Sequence, residues 1–244
     1  MSTANPSLNT WRLGTLLRGE PEMILAWVRG LELRRVLFYT AFICAGTGCY
    51  GAAVGAWRDP LQGLYTAIKF PLLILLTTLG NALLNGMLAP LLGVNINFRT
   101  SLKVIFMSFI MAASILGALS PILFFVVWNT PPPPVRGLHS YTSLVAPEYS
   151  FMQLTTTAGI AFAGVVANVR MFPLLRTLGG SNAAAWRVLL AWLAGNLLLG
   201  SQLCWVFRPF IGNPRIPVEF LTTHPFEGNF FEAVYQAVRH LLFS

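Results

Sequence analysis

Five long apolar stretches that contain no Lys, Arg, Asp, Glu or His constrain this chain more than any other feature. They cover residues 36–57, 70–92, 104–128, 151–169 and 188–207. A helix of about 20 apolar residues crosses the hydrocarbon core of a bilayer. In lipid a helix also satisfies its own backbone hydrogen bonds. The sequence therefore predicts an all-α fold, a polytopic integral membrane helix bundle with five transmembrane helices over residues 36–207.

The composition excludes several other classes of protein. Hydrophobic residues make up 55% of the chain and charged residues only 10%, whereas a soluble domain carries about 25% charged residues. This excludes an ordinary cytosolic enzyme, a disordered chain and a disulfide-framed secreted domain. The net charge is +8, but the cations stand singly or in pairs between apolar runs. That distribution is typical of lipid-headgroup and topology charges, so no nucleic-acid partner is expected.

The distribution of Lys and Arg between alternate loops predicts the orientation. One side holds ten cations and the other holds six, and the richer side is expected to be cytoplasmic. The ten are Arg12, Arg18, Arg29, Arg34, Arg35, Arg99, Lys103, Arg170, Arg176 and Arg187. We therefore expect a protein of a bacterial inner (cytoplasmic) membrane, with its N-terminus in the cytoplasm and its C-terminus outside.

Amphipathic segments flank the five spans. Residues 1–35 form a cytoplasmic segment in which residues 21–33 read as a short amphipathic helix, either lying in the membrane interface or packed on the cytoplasmic helix ends. Residues 208–244 form an external segment: a Pro-rich arm, then an amphipathic helix that Asn229 caps, with Glu232 at the third helical position. This helix is expected either to lie on the outer membrane face or to dock on a partner. Because the arm is expected to carry it away from the fifth span, another membrane protein subunit or a second copy is favoured. The candidate interface residues are Phe230, Phe231, Val234, Tyr235 and Val238.

No constellation of residues predicts catalysis. The chain has no P-loop, GxGxxG, HExxH or GxSxG motif, and its three histidines stand apart in the sequence. The spans contain no acidic residue or histidine of the kind that marks a proton relay. The sequence therefore predicts a protein that is not an enzyme, with no catalytic residue, cofactor or metal ion.

Neutral polar residues do occur inside the spans. Thr77, Asn81 and Asn85 are four residues apart in the second span, so they share one helix face. This face either lines a pore or small-molecule cavity or forms hydrogen bonds between helices, and the second interpretation is favoured. Gly51, Gly55 and Gly159 are candidate positions for close helix packing, because small residues let helix backbones approach each other.

The run Lys69-Phe70-Pro71-Leu72-Leu73, followed by a span that mixes polar and apolar residues, resembles bacterial members of the Yip1-like family of multi-pass membrane proteins. The resemblance covers the second and third spans. It implies a five-helix membrane domain without known catalysis and assigns no functional residue.

Two functions are consistent with these features. The preferred one is a non-enzymatic scaffold or accessory subunit of a membrane assembly, which contacts the lipid bilayer and either other membrane subunits or further copies of itself. The alternative is a channel or transporter for a neutral solute or ion, lined by the face that carries Thr77, Asn81 and Asn85.

Overall fold

A computed structural model describes residues 32–92, 98–131, 147–212 and 217–243, and within these ranges the chain forms seven helices and no strand. The helices are α1 (Leu33–Ala56), α2 (Pro60–Leu91), α3 (Phe98–Asn129), α4 (Pro147–Val169), α5 (Phe172–Gly179), α6 (Asn182–Val206) and α7 (Phe230–Phe243). The predicted amphipathic helix over residues 21–33 lies almost entirely outside the described residues.

Five described segments are long and apolar enough to cross a membrane: Leu33–Ala56, Pro60–Leu88, Phe98–Asn129, Pro147–Gly179 and Asn182–Val206. The all-α, five-span fold is thus confirmed. Large apolar side chains are exposed on all five segments, as in a protein whose outer surface contacts lipid rather than water. Examples are Leu37, Leu79, Leu83, Phe125, Phe162, Leu190 and Leu198. These features indicate an integral membrane protein.

Several helices extend beyond the apolar runs. Helix α2 begins at Pro60 rather than at Phe70, and the Asp59 carboxylate accepts a hydrogen bond from the Leu61 N–H (2.7 Å) at its start. Helix α6 begins at Asn182 because the Ser181 hydroxyl caps it, accepting a hydrogen bond from the Ala184 N–H (3.1 Å). Lys69 and Arg187 interrupt the apolar sequence after these helix starts, so the first turns fell outside the predicted spans.

Two clusters of buried side chains form the core. The cluster at the end that carries the connection from α6 to α7 includes Tyr50, Phe70, Leu116 and Met152. We call this the arm end, because the arm (residues 207–212 and 217–229) leaves α6 there. Ile211 of the arm joins the same cluster and is 6% exposed. The first half of the arm is therefore part of the packed structure.

The candidate packing glycines Gly51 and Gly55 lie where α1 meets α2. A Cβ atom added to Gly51 would lie 2.5 Å from the carbonyl oxygen of Thr66, and one added to Gly55 would lie 2.5 Å from that of Gln62. Real Cβ contacts are longer than this, so only glycine allows the two backbones to lie so close. We call this contact the glycine seam.

Two further glycine contacts extend the packing around α1. An added Cβ on Gly46 would lie 2.6 Å from the Ala113 carbonyl oxygen of α3, so α1 also approaches α3 closely. The third candidate, Gly159 of α4, faces the Tyr50 hydroxyl of α1. That hydroxyl donates a hydrogen bond to the Thr156 carbonyl (3.1 Å). Helix α1 is thus fitted closely to three neighbours.

Candidate functional site

The polar face predicted on α2 is buried in the bundle. Thr77 is 4% exposed, Asn81 0% and Asn85 2%. The Thr77 hydroxyl donates a hydrogen bond to the Leu73 carbonyl of its own helix (2.7 Å). The Asn85 Nδ2 has no hydrogen-bond partner within the described part of the chain. Of the three residues, Asn81 alone donates a side-chain hydrogen bond to another described helix.

Asn81 begins a chain of three asparagines that connects three helices. Its Nδ2 donates to the Asn196 Oδ1 of α6, and the Asn196 Nδ2 donates to the Asn168 Oδ1 of α4 (3.3 Å). The Asn168 Nδ2 in turn donates to the Gly164 carbonyl (2.8 Å). Amides that pair in this way hold transmembrane helices together, each contact contributing about 0.6–2 kcal/mol. We call these three residues the asparagine chain.

A second polar cluster lies at the arm end, where the sequence predicted no site. Gln62, Thr66 and Lys69 follow one another at helical spacing on α2, and all three are 0% exposed. The Pro209 carbonyl accepts hydrogen bonds from the Gln62 Nε2 (2.9 Å) and the Lys69 Nζ (2.7 Å). The Phe210 carbonyl accepts from the Gln62 Nε2 (3.0 Å) and the Thr66 hydroxyl (2.6 Å). We call this set the arm anchor.

The environment of Lys69 is unusual for an ammonium group. Within the described residues its Nζ has no carboxylate partner; it contacts the Pro209 carbonyl and lies 5.0 Å from the centre of the Phe220 ring and 5.8 Å from that of Phe210. A ring face attracts a cation, more strongly where water is excluded. Two arm phenylalanines and one arm carbonyl thus enclose the charge that α2 carries.

Gly212 completes the turn of the arm after the arm anchor. Its φ is +87°, in the left-handed region that favours glycine. A Cβ atom at this position would lie 2.5 Å from the Arg58 Cδ and 3.2 Å from the Gln62 Oε1. The backbone conformation favours glycine, and a larger residue would also displace the Arg58 side chain.

Arg208 fixes the second half of the arm. Its Nη1 donates to the carbonyls of Trp205 (3.0 Å) and Pro225 (2.9 Å), and its Nη2 donates to those of His224 and Glu227 (2.8 Å each). Burial lowers the pKa of the Arg208 guanidinium, and the Glu227 carboxylate opposes that effect. The group stays charged at neutral pH because arginine is effectively always protonated. The Arg208 side chain therefore links the end of α6 to the backbone segment that leads into α7.

Helix α7 folds back onto its own chain. The predicted cap is confirmed, since the Asn229 Oδ1 accepts a hydrogen bond from the Glu232 N–H (2.8 Å). The helix contacts α4 and α6, which differs from the expectation that the arm would carry it away from the fifth span. The cause is the arm anchor together with Arg208, which hold the arm against the bundle.

The five candidate interface residues of α7 divide into two groups. Phe230 and Val234 are half-buried. Phe231 is 43% exposed, Tyr235 66% and Val238 37%. Only part of the apolar side of α7 is therefore used within the chain, and the remainder forms an outward face.

No protein-family model matches this chain, and no curated protein or solved structure matches it either. The fold defines the class as a five-span integral membrane helix bundle. The resemblance to the Yip1-like family and the absence of enzymatic activity both stay predictions.

Proposed function

We propose that this protein is a non-enzymatic scaffold or accessory subunit of a membrane assembly and that α7 presents its docking face. The observation that carries the proposal is the outward face formed by Phe231, Tyr235, Val238 and Leu242, all of them exposed. Four such side chains on one short helix are costly to leave in water, since burying each fully contributes about 1.5–3 kcal/mol.

The position of α7 supports a protein partner. Arg208 and the arm anchor hold the arm at fixed points, so the outward face is presented in one orientation. A helix that only needed to reach the bilayer surface would not require this anchoring. A rigid, preformed surface also lowers the entropy lost on association. The partner is another membrane protein or a second copy of this chain.

The asparagine chain supports a scaffold over a channel or transporter lined by Thr77, Asn81 and Asn85. The Thr77 hydroxyl donates within its own helix and the Asn81 Nδ2 donates to Asn196, whereas the Asn81 Oδ1 and the Asn85 Nδ2 have no partner within the described residues. The two donors that are engaged have less capacity to replace the hydration shell of a passing solute or ion.

The outward face can be tested in native membranes with Phe231→Ser and Tyr235→Ser, using native mass spectrometry after mild extraction. Each variant is expected to weaken assembly at least about tenfold, the equivalent of about 1.4 kcal/mol. Phe125→Ser is the matched control, because Phe125 of α3 is exposed (69%) but lies on another helix. An unchanged assembly state in the α7 variants would show that α7 contacts lipid only.

The orientation is part of the proposal: the arm end faces outward from the cell and the connection from α5 to α6 faces the cytoplasm. Cysteines introduced at Thr100 and Thr177 are expected to react with a membrane-impermeant thiol reagent only from the cytoplasm. A cysteine at Thr222 is expected to react from outside. Labelling of Thr222→Cys from the same side as Thr177→Cys would contradict the five-span orientation.

A further inference from the structure

A cavity of about 740 Å³ lies between α2, α3, α4 and α6, with α7 and the arm over one end. Pockets that bind small molecules have volumes of about 300–1,000 Å³ and are mostly apolar with a few polar groups. The lining has this character, with Phe70, Leu73, Leu116 and Leu193 among its apolar members. The cavity is separate from the outward face of α7, because it lies on the other side of that helix.

The cavity opens sideways, towards the lipid. Ala161 and Val165 of α4 and Leu197 of α6 belong to its lining and are exposed, Val165 at 49% and Leu197 at 58%, so the cavity is not enclosed along these two spans. This rim lies on two spans whose exposed faces contact lipid. A molecule that enters between α4 and α6 therefore comes from the bilayer and has a long apolar part.

The charges of the lining indicate a neutral ligand. Arg208 is the one charged residue among the described residues that line the cavity. Its Nη1 and Nη2 already donate to four backbone carbonyls. An anionic headgroup would have to displace those carbonyls, and a cationic one would meet no carboxylate in this lining.

Polar side chains of the lining supply hydrogen-bonding groups for such a ligand. Ser108 of α3 and Gln153 and Thr156 of α4 line the cavity. Gln153 and Thr156 are three residues apart and share a helix face. Thr156 is 6% exposed, and its hydroxyl has no hydrogen-bond partner within the described residues. A buried hydroxyl without a partner costs free energy unless something satisfies it.

We infer that this cavity binds one neutral lipid, with an uncharged hydroxyl- or ester-bearing head at Gln153 and Thr156 and an acyl chain along Leu193 and Val165. Because α4 begins at Pro147, Gln153 and Thr156 lie in its first turns, near the arm end. The head would then lie beneath α7 and the chain deeper in the bilayer. This inference goes beyond the scaffold role and fails independently of it.

The test is photo-crosslinking of the full-length chain, reconstituted in phosphatidylcholine nanodiscs, with a monoacylglycerol that carries a diazirine on its acyl chain. Mass spectrometry then locates the labelled residues. Labelling is expected within α4 and α6 at residues that line the cavity. A fatty acid with the same chain, ionised at the working pH, is expected to compete at least about tenfold less well.

Variants of α4 distinguish the cavity from the outer lipid layer. Gly164 lines the cavity, and an added Cβ there would meet no atom within 4 Å, so Gly164→Leu places a larger side chain at the lining. Val165→Trp blocks the rim. Both are expected to lower labelling at least about tenfold. Val169→Trp is the matched control, because Val169 is on the same helix and 47% exposed but is not part of the lining.

Melting temperatures establish whether each variant folds. If Gly164→Leu does not fold, Val165→Trp on the exposed rim decides the test. Equal labelling of the parent and both folded variants, spread over the outer faces of all spans, would overturn the inference in favour of bulk lipid. Equal competition by the ionised fatty acid would overturn the neutral head.

Discussion

The glycine seam and the region between α4 and α6 use the same residue type in opposite ways. Along the seam, a Cβ on Gly55 would lie 2.5–2.8 Å from backbone atoms of Gln62 and Gly63. Between α4 and α6, a Cβ on Gly164 would meet nothing within 4 Å, and Gly164 lines the cavity. Close backbone contact therefore holds α1 and α2 together at the seam, whereas the region between α4 and α6 depends on a few hydrogen bonds.

The contrast shows where stability and function are separated in this bundle. Helices in lipid gain no hydrophobic driving force from packing against each other, so close backbone contact and hydrogen bonds hold them together. The seam and its continuation to α3 supply the close contact. The region between α4 and α6 is bridged by the asparagine chain and covered at one end by α7 and the arm, and it keeps the space that we assign to a lipid.

The largest expected difference in stability comes from replacing one glycine by alanine in each of the two regions. Gly55→Ala forces the α1 and α2 backbones apart and is expected to destabilise the protein by about 1–3 kcal/mol, the usual cost of overpacking. Gly164→Ala meets no atom and is expected to leave stability unchanged or to raise it by up to about 1 kcal/mol through helix propensity. Thermal unfolding of both variants in one detergent measures the difference. Equal losses would remove the distinction between the two regions.

A smaller and local effect is expected from Lys69→Met at the arm anchor. Hydrogen bonds to charged groups contribute about 1.5–3 kcal/mol, so hydrogen exchange in residues 207–212 is expected to quicken at least about tenfold. Global stability is expected to change little, because removing a buried charge also removes its desolvation cost.

Ile68→Met is the control for Lys69→Met, since Ile68 is next in the chain but 47% exposed. Hydrogen exchange of the arm that is the same in Lys69→Met and in the parent would show that the arm does not depend on this contact.

The parts that the sequence predicted share a physical cause. The five spans, the common face of Thr77, Asn81 and Asn85 and the Asn229 cap all depend on residues within a few turns of one another. The spacing of residues along the sequence is enough to predict local features of this kind. The identity of Asn81's partner, Asn196, depends on how α2 and α6 meet, and no local pattern carries that information.

The arm anchor was missed for a related reason. Gln62, Thr66 and Lys69 are polar, so the second span was predicted to begin at Phe70. Their partners are backbone carbonyls of Pro209 and Phe210, which any residue provides and which lie far along the chain. The helical spacing of the three polar residues was the available signal, but it does not identify what they bind. The cavity likewise depends on distances between helices.

The central claim is that the polar face of α2 holds helices together rather than conducting a solute, and Asn81→Leu tests it most directly. The change leaves Asn196 without its partner on α2 and is expected to lower stability on the order of 1 kcal/mol. In proteoliposomes, stopped-flow light scattering is expected to show glycerol flux equal to that of protein-free vesicles for both parent and variant. Flux through the parent that Asn81→Leu abolishes, at an unchanged melting temperature, would contradict the claim.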